Sequence, residues 1–176
     1  MAGLEMQRIA DQVDRAVNGP AWHGPSILEL LKGVTATQAT AKPIRDAHSI
    51  WELVTHTAAW LEIGRLRLEG KAPLRITESM NWPPVPPSLV ELRRASKPKA
   101  SRPHVAASQA WKADVSRLRR AAKDLRTTIA AQDDRRLDEE LPGVDDTWSA
   151  YITLHGVLQH VLYHAGQIAI LKKGTS

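Results

Sequence analysis

The chain has 176 residues, 43% hydrophobic and 24% charged, with 10 Gly and 11 Pro; this is globular composition, and it excludes disorder or a collagen-like repeat for the chain as a whole. It contains no Cys, which excludes a disulfide scaffold, a thiolate metal site and a Cys nucleophile, and fits a cytoplasmic location. The net charge is +5 but uneven: residues 93–126 hold eleven basic residues against Asp114 and Asp124, so that segment is +9 and the remainder −4.

The length suits one domain, residues 1–176, with a core of its own. A first helix is predicted over residues 4–17, with Leu4, Ile9, Val13, Ala16 and Val17 on its apolar face. Its charges argue against a signal peptide, and Asn18-Gly19-Pro20 stops it. Trp22 and His23 follow in a Gly/Pro-bounded loop, where Trp22 reads as a loop anchor or, alternatively, a cap on the site. Ser26-Ile27-Leu28-Glu29 is a capping box opening a short helix. A second box, Ser49-Ile50-Trp51-Glu52, opens a long helix to about residue 69, ended by Gly70.

A Pro-rich connection over about residues 71–107 then carries seven prolines. It cannot be regular helix or central strand. A capping box at Ser88-Leu89-Val90-Glu91 predicts a turn or two of helix within it, and residues 97–103 read as mobile and solvated. A helix over 108–131 places Trp111, Val115, Leu118, Ala122, Leu125 and Ile129 on one stripe. Lys112, Arg119, Lys123 and Arg126 fall on a neighbouring exposed stripe. The last helix, residues 148–172, is apolar on most sides, which predicts a central position. No segment alternates as a strand does, and none approaches the roughly 18–20 apolar residues that span a bilayer. The fold class is therefore all-α, a bundle of four long helices with short extra ones and a crossover. The six Trp fill the core or line a pocket, since an indole N–H seeks a partner.

The seven His carry the candidate chemistry. His160 and His164 are four residues apart on one helix, about 40° around the axis and about 6 Å along it, so their rings can converge on one ion. His155 lies about 140° and about 180° from them and faces elsewhere. His48 and His56 are about 12 Å apart along their helix, so only one can join a common ion. His56 is mid-helix and the better candidate; His48 reads as a capping or surface residue. Three imidazoles leave a fourth position open, as in a catalytic metal site. The structural alternative is that each His is a hydrogen-bonded core or rim residue. Glu52 reads as a cap or as an acceptor orienting His56. Gln167 reads as a ligand contact or a helix–helix bond, and Trp60 as pocket wall or core.

Residues 48–60, HSIWELVTHTAAW, and 154–168, LHGVLQHVLYHAGQI, resemble the second-helix and last-helix motifs of the DinB/YfiT-like superfamily of metal-dependent enzymes. Residues 19–26, GPAWHGPS, and Asn81-Trp82-Pro83 look like one branch of it. The resemblance implies an up-down-down-up four-helix bundle and a divalent ion held by His56, His160 and His164. Zinc or nickel is expected first, then manganese or iron. It also implies a homodimer and a low-molecular-weight thiol cosubstrate (bacillithiol, mycothiol or glutathione) in S-transfer or thiol-dependent isomerisation of a small-molecule substrate. Residues 96–107 are longer and more basic than in the family. A metal-dependent hydrolase and a non-catalytic, metal-stabilised stress or ligand-binding module are the alternative functions. The basic face reads as a solvated one or, alternatively, as one that attracts an anionic thiol cosubstrate or nucleic acid. It carries no recognised nucleic-acid motif, and no membrane partner is expected.

Overall fold

The computed structural model describes residues 3–73, 75–86, 103–141 and 148–175. The capping box at Ser88 and the stretch from Lys97 to Arg102 lie outside them. The helices are α1 (Leu4–Asn18), α2 (Ile27–Leu30), α3 (Ala36–Thr40), α4 (Ile50–Leu68), α5 (Glu78–Asn81), α6 (Pro103–Ala130) and α7 (Ala150–Gly174), with a 3-10 turn at Asp134–Asp138. None of them is long and apolar enough to cross a membrane.

Local chemistry sets these boundaries. Ser26 and Ser49 cap α2 and α4 in the expected reciprocal boxes, and Thr35 with Gln38 makes a third at α3. α6 begins at Pro103 and not Ser108, because a first-turn proline gives up only an amide that has no helical partner. The cap of α1 is not local. Asp134 accepts from the Glu5 and Met6 amides at 3.1 and 2.9 Å, satisfying first-turn donors from 129 and 128 residues away.

α1 and α4 each pack against both α6 and α7, giving a four-helix bundle. Trp51 Nε1 donates to Asp114, Arg117 to Glu62, and Thr128 Oγ1 to Glu69, so α4 and α6 run in the same direction. α7 opposes α4: His56 meets His160, while Gly64 faces Val157. The Gly3 amide bonds Gln132 O, which places the start of α1 beside the end of α6. These pairings trace the up-down-down-up order. One buried cluster joins all four long helices, with Trp51 and Trp111 at 5.2 Å among its aromatic members.

The sequence misplaces two faces. α4, with 14 of 19 residues buried, is the enclosed helix. α7 instead leaves Tyr151, Ile152, Tyr163 and Ile170 exposed. Leu4 is also exposed, and Met6 and Ala10 take its place on the buried face of α1. On α6 the expected core stripe is buried or packed on the core, and Lys112, Arg119, Lys123 and Arg126 face outward.

Candidate metal centre

α4 carries His56 to the bundle interior, 4% exposed, and α7 carries His164, 5% exposed, and His160 one turn before it. The chain after α4 fixes the His56 ring. Its Nδ1–H donates to the Asn81 carbonyl at 2.6 Å. A carbonyl only accepts, so the proton sits on Nδ1 and the Nε2 lone pair is free. His164 is set the same way: Nδ1–H donates to Gln167 Oε1 at 2.6 Å. Both bare Nε2 atoms approach Nε2 of His160, at 3.0 Å from His56 and 2.9 Å from His164.

Each of the three residues offers one ligand atom to a common point, all within 4.8 Å of one another, and no fourth His, Asp or Glu joins them among the described residues. Metal–nitrogen bonds of about 2.0–2.1 Å at tetrahedral angles put nitrogens about 3.3–3.4 Å apart. The two gaps to His160 Nε2 need to open by only a few tenths of an ångström. The electrostatics also suit a cation. Burial pushes the His56 pKa from 6.5 down to about 4, against the Asn81 bond that raises it, with His164 and His48 adding to the fall. Burial, then His164 and His56, pushes His160 from 6.5 to about 3. Burial lowers His164 too, opposed by Gln167. All three rings are therefore neutral near pH 7, with lone pairs available to a metal. His160 Nδ1 is buried with no hydrogen-bond partner, and the polar contacts of this ring run through Nε2 to His56 and His164.

A family model described as the DinB superfamily matches residues 22–168, a span that contains all three imidazoles. The chain belongs to the DinB superfamily. No curated protein sequence and no solved structure matches it.

In this DinB chain the aromatic residues build the walls. Trp82 is sandwiched between His48 and His56, with ring centroids 3.7 and 3.8 Å apart and planes within 16° and 11°. His48 thus buttresses the site from outside, a role its helix-end position hides. Trp60 Nε1 donates to Asn81 Oδ1 at 2.9 Å, so Asn81 ties α5 to α4 through both its carbonyls. Glu52 serves the cap, accepting from the Ser49 amide at 2.6 Å and from Lys42 at 3.1 Å. Gln167 orients His164, and its offset of three from that residue was the usable signal. His155 packs on Tyr151, apart from the triad. Trp22 is fully exposed and is not among the residues lining the cleft, so it neither anchors its loop nor caps the site.

The triad opens on a cleft of about 500 Å³ between α4 and α7, walled by Trp60, Trp82, Arg67, Thr153, Trp148 and Tyr163. It is large enough for a small organic molecule. The Arg67 guanidinium lies 5.5 Å from the Trp60 ring centroid, a cation–π distance.

Proposed function

We propose that this DinB chain is a divalent-metal-dependent enzyme, using a low-molecular-weight thiol to transfer sulfur to, or isomerise, a small electrophile. The observation that supports it is the convergence of three neutral imidazole nitrogens from two helices at the end of an open cleft. In this reading His56, His160 and His164 hold the ion, zinc or nickel before manganese or iron. The bound ion would supply Lewis acidity, lowering the pKa of a thiol or water in the remaining position.

The chain's own residues do the rest. The Asn81 carbonyl and Gln167 Oε1 keep the Nδ1 protons in place, which directs Nε2 of His56 and His164 to the ion. Trp82 and Trp60 exclude water from the His56 side and offer flat apolar walls to an electrophile. The cleft between α4 and α7 admits the substrate. The same reading takes the protein as a cytoplasmic homodimer of single-domain chains, with the exposed Ile152, Tyr163 and Ile170 of α7 at the shared face.

A panel of thiols and simple electrophiles tests the activity. Turnover that needs both thiol and metal supports the transferase or isomerase. Turnover with metal but no thiol indicates hydrolysis. No turnover, with His164→Ala lowering only the melting temperature, indicates a metal-stabilised module.

A further inference from the structure

A second, smaller cavity of about 130 Å³ lies behind the triad, between the start of α4 and the end of α7. Leu53 and Leu171 are buried and form its floor, while Ile44 and Ile170 are exposed and form its rim. An apolar cavity of about 150 Å³ is enough to hold benzene. No Asp, Glu, Lys or Arg lines this one among the described residues, so nothing in it would offset the desolvation of a charged ligand.

The polar part of the lining is His48 and Gln167. Gln167 turns Oε1 to the His164 Nδ1–H, and a planar amide then aims its two Nε2 donors elsewhere. Among the described residues those donors meet no acceptor, and Nε2 is not sealed from solvent. His48 stacks on Trp82, which stacks in turn on His56. Each polar wall of the pocket is thus linked to a member of the triad, Gln167 directly and His48 through one ring. Their partners, His164 and Trp82, line the cleft on the far side.

We propose that this pocket is a second ligand site, taking an uncharged molecule of about six to eight heavy atoms with one carbonyl oxygen. A ligand that accepts from Gln167 Nε2 steadies Oε1 on His164 and so tightens metal binding at the triad. The ligand site stands on the pocket alone; the linkage rests on the metal-dependent reading above.

NMR titration of the metal-free full chain with cyclohexanone tests the site. Binding with a Kd on the order of 1 mM is expected, with the Gln167 side-chain amide resonances among those that shift. Ala47→Leu, which fills the pocket from its own wall, abolishes that binding. Gln167→Leu weakens cyclohexanone about fivefold but leaves methylenecyclohexane, the same ring without the oxygen, within about twofold; this pair decides the matter if Ala47→Leu does not fold. No saturable binding by the wild type overturns the ligand site, and so does undiminished cyclohexanone binding in these variants. Ile170 also belongs to the face assigned to the dimer, so a pocket covered by a second copy gives the first of those results. Saturating cyclohexanone is expected to raise zinc affinity about threefold, and zinc to raise cyclohexanone affinity by the same factor; unchanged zinc affinity overturns the linkage. A chain that binds cyclohexanone but no zinc fails the metal reading alone; a zinc-loaded chain that binds no cyclohexanone fails the pocket alone.

Discussion

Asn81 O and Gln167 Oε1 decide which nitrogen each of two imidazoles presents, and neither acceptor is itself at the convergence point. Replacing Gln167 with Leu removes the acceptor of the His164 proton while leaving the ligand in place. Zinc affinity is expected to fall about 10–100-fold, measured by competition with a chromogenic chelator; unchanged affinity would show that Gln167 does not orient the ring. The lowered imidazole pKa values give a second expectation, for the metal-free chain. Unfolded imidazoles take protons near 6.5, whereas folded His56 and His160 take them only near about 4 and about 3. Between those limits the unfolded chain binds more protons. The stabilising contribution is thus complete above about 6.5 and is lost as pH falls toward 3. Denaturant midpoints at pH 7.5 and 5 will show the fall, and His160→Asn will make it shallower. The His160–His164 pair was legible because a spacing of four on one helix fixes geometry by itself; that His56 meets it was not, since spacing does not show that two helices touch. Asn81 and Trp82 were not legible, since their roles depend on the chain between α4 and α6 folding back on α4, which periodicity does not encode.

α4 and α7 are the elements on which the site depends. Ser49 Oγ accepts the Glu52 amide at 3.2 Å, so Ser49→Ala should cost about 1 kcal/mol of unfolding free energy. The two helices pack closely at Gly64, where an added Cβ would meet Val157 Cγ2 at 3.0 Å. Gly64→Val should destabilise by about 1–3 kcal/mol and, by prising α4 from α7, weaken zinc binding as well. Normal zinc affinity in a folded Gly64→Val chain would show that the helix spacing does not hold the triad together. The long helices were legible from Ser/Glu boxes and apolar spacing near 3.6. The short ones were harder. α3 has its own box, Thr35 with Gln38, but little apolar pattern, and α1 takes its cap from Asp134. Reading α7 as central failed because apolar content does not reveal which face a neighbour covers: Ile152, Tyr163 and Ile170 stay exposed.

Across the whole molecule, the crossover lets α4 and α6 run together while α7 opposes α4, and that arrangement brings His56 to His160 and His164. The exposed face of α7 carries the expectation of a dimer. Light scattering should give twice the chain mass, and Ile152→Glu with Ile170→Glu should give the chain mass with the helical circular-dichroism signal retained. The central claim is the shared cation, and the metal content and coordination of the purified chain, supplied with zinc, nickel or manganese, test it most directly. The account predicts close to one ion per chain, X-ray absorption showing three imidazole nitrogens with an exchangeable further ligand, and loss of the ion in His164→Ala. Below about 0.2 ions per chain, or full occupancy retained in the combined His56→Ala, His160→Ala and His164→Ala chain, would contradict it.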